Sequence, residues 1–132
     1  VVHQLEHEVS GMYPEVAHGA GLAALWCSWA RYVYKANINR WLQYASNVWG
    51  LDIDFEHPEK TIETAIDMQE QYYASIGMPI GLKELGDTYV TIASTATRYL
   101  YGAPIVLSSL IGYKPLAYED ILVIYQMAYE RG

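Results

Sequence analysis

Residues 19–35 read GAGLAALWCSWARYVYK, and this segment decides the fold. Apolar side chains fall on nearly every face that a helix would present here. That distribution is typical of a helix covered on several sides, since a surface helix shows one apolar stripe. We therefore predict that residues 19–35 form a central helix against which the other elements pack.

Further helical patterns follow on the C-terminal side. A helix is predicted over residues 38–49 and ends at Gly50. A longer one begins at Pro58, which suits the first helical position, and ends before Gly77 and Pro79. Its predicted buried stripe, broken only by a glutamine, consists of Ile62, Ala65, Ile66, Gln69, Tyr72, Tyr73 and Ile76.

The rest of the chain, residues 81–132, also favours helix. The sequence GLKELG predicts one helical turn, and residues 88–101 predict a helix. Residues 105–111 favour a short helix, with a strand as the alternative. A last helix is predicted over residues 118–129, with Ile121, Leu122, Ile124, Tyr125 and Ala128 facing inward. Because no alternating strand pattern of useful length occurs, the predicted fold class is all-α, a multi-helix bundle forming a single domain over residues 1–132.

The composition of the chain argues against several classes of function. The net charge of −7 and the lack of a Lys/Arg cluster argue against nucleic acid as a partner. Cys27 has no second cysteine to pair with, which favours a reducing cytoplasm. No run of 18 apolar residues is free of polar interruption, so no membrane span is expected. The chain opens without Met and without a signal-peptide pattern, and it reads as a piece of a longer protein.

Three of the four histidines lie in HQLEHEVSGMYPEVAHGAG, residues 3–21. A helix is predicted over residues 2–10, and it places His3 and His7 on one face, one turn apart. His18 follows eleven residues later, across a predicted turn. Imidazole is a common neutral metal ligand, so this grouping predicts part of a metal site. A zinc protease is not indicated, because its motif needs Glu directly after the first histidine and this chain has Gln4 there.

The same segment, His-x-x-x-His-Glu-Val-Ser followed by His-Gly-Ala-Gly-Leu-Ala, resembles the iron-containing alcohol dehydrogenases, in particular the butanol-dehydrogenase-like members. The resemblance continues through WCSWARYVYKANINRWLQYASNVWG and IGMPIGLKELG to EDILVIYQMAYE. It covers essentially the whole chain, but only about the last third of a typical member. It implies the helical, dehydroquinate-synthase-like C-terminal domain of that family, which follows an α/β nucleotide-binding domain.

The resemblance also implies roles for individual residues. His3 and His18 would be metal ligands for Fe²⁺ or Zn²⁺. His7 would lie beside the substrate and take part in proton movement. Gly19 and Gly21 would lie near the nicotinamide of NAD or NADP. An Asp and a further His, needed to complete the ligand set, belong to the upstream part of the family's proteins.

The implied activity is that of an NAD(P)-dependent alcohol dehydrogenase. The metal would bind the oxygen of a small primary alcohol or its aldehyde while hydride passes to or from the nicotinamide. The expected partners are the protein's own nucleotide-binding domain and further copies of the protein. The chain alone is expected to be inactive and to bind divalent metal weakly or not at all. Its step of eleven residues from His7 to His18 is one longer than in many members, and the extra residue falls in the predicted turn.

Alternative interpretations remain open at this stage. The chain could be a stand-alone helical interaction module, or a small metalloprotein whose site is completed by Glu6, Glu8 or Glu15. A lone histidine is more often structural than a ligand, and tight helix packing alone would explain Gly19 and Gly21. Cys27 is predicted to be a small core residue, and His57 a residue at a helix start.

Overall fold

A computed structural model of the chain describes residues 2–85, 116 and 118–131. The α-helices described are Val2–Met12 (α1), His18–Val33 (α2), Ile38–Trp49 (α3), Pro58–Ser75 (α4) and Tyr118–Glu130 (α5). Single-turn 3-10 helices cover Tyr34–Asn37 and Leu82–Leu85. All regular structure in these residues is helical, which confirms the predicted all-α fold class. The helices predicted over residues 88–101 and 105–111 lie outside the described residues.

Helix α2 is the centre of the molecule, as its apolar sequence predicts. It contacts α1, α4 and α5. Its buried residues come from every side of the helix and are Gly21, Ala23, Ala24, Leu25, Cys27, Ser28, Trp29, Ala30 and Val33. The α-helix ends at Val33, two residues earlier than predicted, and continues as the first 3-10 turn.

An aromatic cluster joins α2 to α3. It consists of Trp26, Trp29, Trp41 and Tyr44, whose neighbouring ring centroids lie between 5.6 and 6.3 Å apart. The contacts are tilted or edge-on, the arrangements that aromatic pairs prefer. Trp29 and Trp41 are buried in the core, and Trp26 and Tyr44 pack against it.

The ends of α3 follow from two residues. Asn37 caps the N-terminus, where its side-chain oxygen accepts a hydrogen bond from the backbone N–H of Arg40 at 3.2 Å. Gly50 ends the helix in the left-handed conformation, with φ 64°, and its N–H donates to the carbonyl of Ser46 at 3.0 Å. A side chain is disfavoured at that φ, which explains why the predicted boundary at Gly50 is correct.

Helix α4 begins at the predicted residue because the preceding loop is closed by hydrogen bonds. Asp54 Oδ1 accepts from the backbone N–H groups of Glu56 and His57, at 3.0 and 3.1 Å. Thr61 Oγ1 accepts from the backbone N–H of Asp54 at 3.0 Å. Pro58 is the first helical residue and His57 the N-cap, which confirms the role predicted for His57.

The predicted buried stripe of α4 is correct at its start and wrong at its end. Ile62, Ala65 and Ile66 are fully buried. Tyr72 and Ile76, by contrast, are 50% and 56% exposed. Periodicity identifies which face of a helix is apolar, but it carries no information on how far the neighbouring elements extend along that face. Gln69, the polar residue within the stripe, accepts a hydrogen bond from the hydroxyl of Tyr44 at 2.8 Å.

Helix α5 returns the C-terminal end of the chain to α2. The predicted inward residues Ile121, Ile124, Tyr125 and Ala128 are all buried, and Leu122 is partly buried against the core. Beside it, Lys83 from the second 3-10 turn lies over the ring of Tyr129, with 5.2 Å from Nζ to the centroid. Among the described helices, none combines the length and apolar composition that a membrane crossing requires.

Candidate metal site

The three N-terminal histidines come together where α1 meets α2. The ring centroids of His3 and His18 are 5.2 Å apart, and those of His7 and His18 are 5.7 Å apart. His3 and His7 lie one turn apart on α1, and His18 is the first residue of α2. All three side chains are exposed, so the imidazole group opens to solvent. The residues predicted as metal ligands and as a proton carrier therefore form one cluster.

The turn between the helices brings His18 back to α1. The N–H of Tyr13 donates to the carbonyl of Val9 at 2.8 Å, and the N–H of Val16 donates to that of Tyr13 at 3.0 Å. Ala17 is extended, with φ −63° and ψ 135°, and α2 starts immediately after it. A turn of this kind tolerates an added residue. The longer step between His7 and His18 therefore does not separate the two rings.

Glu6 is buried directly behind the histidines. Its side chain is fully inaccessible to solvent, although its neighbours His3 and His7 on the same helix are exposed. Its Oε2 lies in contact with Nδ1 of His18, and its Oε1 accepts a hydrogen bond from Ser10 Oγ. A buried carboxylate needs such partners, because burying a charge without an ion pair or hydrogen bonds costs far more than burying a neutral polar group. Of the three glutamates considered from the sequence, Glu6 is therefore engaged with His18, and Glu15 is exposed.

The two glycines at the start of α2 differ in their surroundings. A Cβ atom at Gly21 would lie 2.5 Å from Glu6 Oε1 and 2.6 Å from Glu6 Cγ. A Cβ atom at Gly19 would meet nothing within 4 Å. Close packing against Glu6 therefore explains Gly21, whereas Gly19 is exposed. Contact of either glycine with a nicotinamide cofactor stays a prediction.

The described side chains do not form a complete set of metal ligands. Among them, no three His, Cys, Asp or Glu side chains are arranged to hold a metal ion. A catalytic zinc site takes three or more protein ligands. The alternative of a small metalloprotein completed by Glu6 or Glu15 therefore finds no support among these side chains, and the side chain of Glu8 lies outside the described part.

Cys27 lies in the core and does not have the surroundings of a nucleophile. Burial, aided by the nearby charge of Glu70, raises the pKa of its thiol to about 12. A thiol with so high a pKa carries almost no thiolate near neutral pH. The prediction that Cys27 is a small core residue is confirmed.

Some residues of the site were not identified from the sequence. Ser10 lies one helical turn after Glu6, and that spacing is the signal that could have indicated their hydrogen bond. Tyr125 of α5 donates to the backbone carbonyl of Leu5 at 2.7 Å and so fixes α1. No local pattern indicates this contact, because the two residues are 120 positions apart.

A family model and two related proteins identify the same protein family for this chain. The chain matches the family model described as Fe-containing alcohol dehydrogenase family, C-terminal, over residues 1–129. It is 34% identical over 131 residues to NADH-dependent butanol dehydrogenase A of Clostridium acetobutylicum, covering 96% of this chain and 32% of that protein. It is 33% identical over 87 residues to butanol dehydrogenase B of the same organism, covering 64% of this chain and 22% of that protein. The chain thus spans about a third or less of the length of these relatives.

Solved structures agree with this result. NADH-dependent butanol dehydrogenase A from Thermotoga maritima superposes with a TM-score of 0.82 at 27% identity, covering 96% of this chain and 32% of that one. A 1,3-propanediol oxidoreductase shares the fold, with a TM-score of 0.80 at 24% identity, covering 97% of this chain and 32% of that one. The chain belongs to the Fe-containing alcohol dehydrogenase family and corresponds to its C-terminal, helical part.

Proposed function

We propose that this chain supplies half of the metal site, and one wall of the substrate cleft, of an NAD(P)-dependent dehydrogenase that interconverts a primary alcohol and an aldehyde. The observation that carries the proposal is the 5.2 Å separation of the His3 and His18 rings in a chain of this family. The names of the relatives, NADH-dependent butanol dehydrogenases, support a small aldehyde with NADH, and in the reverse direction the alcohol with NAD⁺, as the reactants.

His3 and His18 fit a divalent metal as two of its ligands. Imidazole nitrogen is a suitable donor for both Fe²⁺ and Zn²⁺. Each ring is exposed, so a donor nitrogen remains accessible from the solvent side. In this proposal the other ligands, an Asp and a His, come from a helix upstream of this chain. The bound metal supplies Lewis-acid polarisation of the substrate oxygen.

His7 is the proposed proton carrier. Its ring lies 5.7 Å from that of His18 and one helical turn from His3, so it borders the metal site. It is exposed, which gives it access to a substrate hydroxyl and to solvent. An imidazole has one nitrogen that can accept a proton and one that can donate it, which suits general acid–base work.

Gly19 is the proposed backbone contact for the nicotinamide. It is the second residue of α2, next to His18, and the space around its missing side chain is open. A cofactor ring can approach a backbone more closely where Cβ is absent. Gly21 lies two residues further along α2 and is buried against Glu6, so it would contribute by letting α1 pack closely on α2.

The ligand assignment is tested by titrating the metal-stripped chain with Zn²⁺ and with anaerobic Fe²⁺. We expect weak binding, micromolar or weaker, because half of the ligands are absent. His3→Ala and His18→Ala should each abolish it. His57→Ala is the matched control, since it removes an exposed histidine at the start of α4 and should leave binding unchanged. Tight binding that survives loss of either His3 or His18 would refute the assignment.

The catalytic part of the proposal is tested by complementation. The chain is joined to the whole part of butanol dehydrogenase A from Clostridium acetobutylicum that precedes the matching region, and NADH consumption with butyraldehyde is followed. We expect activity from the chimera, loss of it with His18→Ala, and a lowered kcat with His7→Ala. A metal-loaded, folded chimera that consumes no NADH would count against the dehydrogenase and favour a helical interaction module.

A further inference from the structure

Glu6 has a feature that metal ligation by His3 and His18 does not explain. Glu6 is an acidic residue with no solvent-exposed surface. His3 and His7, which lie near it on the same short helix, are exposed. Both of its oxygens have partners, Oε1 with Ser10 Oγ and Oε2 with His18 Nδ1. The carboxylate is therefore held between its own helix and the first residue of α2.

The chemistry of this contact determines the state of the His18 ring. An ionised carboxylate only accepts hydrogen bonds, so the His18 nitrogen that faces Glu6 must carry the proton. In a neutral imidazole one nitrogen carries the proton and the other has a free lone pair. The lone pair of His18 is then on Nε2, on the side of the ring that faces away from Glu6. Metal-ligating histidines in proteins are commonly held in this way by a carboxylate on the other nitrogen.

Gly21 provides independent support, because it makes room for Glu6. Any side chain at position 21 would bring its Cβ within 2.5 Å of Oε1, 2.6 Å of Cγ and 2.9 Å of Cδ of Glu6. The buried position of the carboxylate thus depends on a residue of the helix that carries His18. Leu5 and Val9, which flank this side of α1, are buried in the core and limit any movement of the helix.

We propose that Glu6 is a positioning residue, which holds His18 as the tautomer with the proton on Nδ1 and so directs Nε2 toward a divalent metal. This inference rests on the proposed function only in taking His18 as a metal ligand. Ser10 orients the carboxylate, and Gly21 leaves the space it occupies. Glu6 itself does not touch the metal or the substrate.

The proposal is tested by reading the His18 tautomer directly. Long-range ¹H–¹⁵N NMR correlations of the imidazole distinguish the two tautomers in the ¹⁵N-labelled 132-residue chain, without metal and above the pH at which histidine is protonated. The wild-type chain should show the proton on Nδ1. Glu6→Gln should keep it there, since the amide oxygen still accepts. Glu6→Leu, which has no acceptor, should move the proton to Nε2, the preferred form of a free histidine.

Metal affinity gives the second measurement. Glu6→Leu should weaken Zn²⁺ binding by about 10- to 100-fold, the range typical for loss of such a partner, and Glu6→Gln by much less. Glu59→Leu is the control, because it makes the same change at an exposed glutamate in the first turn of α4. It should preserve the tautomer and most of the affinity. Far-UV circular dichroism identifies any variant that fails to fold, and the wild-type and Glu6→Gln spectra still decide the question.

The outcomes separate the two proposals. A wild-type His18 protonated on Nε2, or a tautomer unchanged in folded Glu6→Leu, overturns the role of Glu6 even if Zn²⁺ binding still requires His18. Zn²⁺ affinity that is unchanged by His18→Ala overturns the assignment of His18 as a ligand. The proposed positioning role of Glu6 is then overturned as well.

Discussion

At the scale of single residues, Gly21 and Glu6 share one small volume between α1 and α2. Hydrogen bonds to Ser10 and His18 hold Glu6 there, so its side chain is not free to move aside. A glycine inside a helix is ordinarily unfavourable by about 1 kcal/mol relative to alanine. Its presence at position 21 therefore reflects the space that the carboxylate needs.

Gly21→Ala should destabilise the chain even though alanine is the better helix former. The added Cβ would lie 2.5 Å from Oε1 and 2.6 Å from Cγ of Glu6, and moving either atom disturbs the contact with His18. Overpacking of this kind costs about 1–3 kcal/mol. Gly19→Ala is the matched control, because its Cβ meets nothing within 4 Å. It should change the free energy of unfolding by less than about 1 kcal/mol, in the stabilising direction.

Urea unfolding of the two variants beside the wild type measures this difference. Equal stability of Gly21→Ala and Gly19→Ala would mean that the Glu6 side chain can move away from the added Cβ at little cost. The packing explanation of Gly21 would then be wrong.

The sequence predicts some residues of the site and not others. The spacing of His3 and His7 places both on one face, because helix geometry fixes residues four apart. The approach of His18 depends on the packing of α1 on α2, and the family resemblance, rather than the spacing, indicated it. The burial of Glu6 follows from a gap at Gly21 on another helix. That contact has no signature in the local sequence, where glutamate is usually a surface residue.

At the scale of elements, α1 carries two of the histidines and is held from two directions. Its side toward the core packs on α2 through Leu5 and Val9. Helix α5 adds a hydrogen bond from the Tyr125 hydroxyl to the carbonyl of Leu5 at 2.7 Å, in a buried position. The position of the histidines thus depends on a helix near the C-terminal end of the chain.

Tyr125→Phe should loosen α1 while leaving the other helices in place. It removes one buried hydrogen bond, which costs about 1 kcal/mol, and retains the ring in the core. Amide hydrogen exchange should become faster in α1 than in α3 or α4, since those helices do not use this contact. Tyr72→Phe, at a half-exposed residue of α4, is the control and should not change exchange in α1. Uniform acceleration across all helices would show that Tyr125 supports the whole core.

Element boundaries were largely predictable because single residues set them. Pro58 begins α4, and Gly50 and Gly77 end helices with φ of 64° and 79°. These residues act through backbone sterics, which are local and therefore visible in the sequence. The exposure of Tyr72 and Ile76 depends instead on where the other helices stop. Helix periodicity contains no such information, so the prediction failed there.

At the scale of the whole molecule, tyrosines and arginines connect the helices through hydrogen bonds and ion pairs to acidic side chains. Tyr34 is 2% exposed and its hydroxyl donates to Glu63 of α4 at 2.7 Å. The hydroxyl of Tyr32 donates to Asp120 of α5. Arg31 contacts Glu70 and Asp67 at 2.6 and 2.8 Å, and Arg131 also binds Glu70. Burial tends to raise the pKa of Glu70, but the hydrogen bonds from Arg31 and Arg131 outweigh it and hold that pKa below its usual value.

The tyrosines make the fold sensitive to alkali. Burial, together with a hydrogen bond to Asp120, raises the pKa of Tyr32 to about 12, and burial raises that of Tyr44 to about 12. Burial and the contact with Glu63 raise the pKa of Tyr34 as well. The pKa of a tyrosine in an unfolded chain is about 10, so the folded chain retains protons that the unfolded chain has lost. The stabilisation is complete below about pH 10 and is lost as pH rises toward the folded-state values.

Urea midpoints measured from neutral pH to about pH 11 should therefore fall steeply above about pH 10. Tyr34→Phe isolates one contribution. At neutral pH it should be less stable than the wild type by about 1 kcal/mol, because the hydrogen bond to Glu63 is lost. Above about pH 10 the difference in free energy of unfolding between the two proteins should become smaller. The wild type loses the stabilisation that depends on the protonated Tyr34 hydroxyl, whereas the variant has no hydroxyl at this position. Parallel pH curves for the two proteins would contradict the raised pKa of Tyr34 and place the alkaline sensitivity elsewhere in the core.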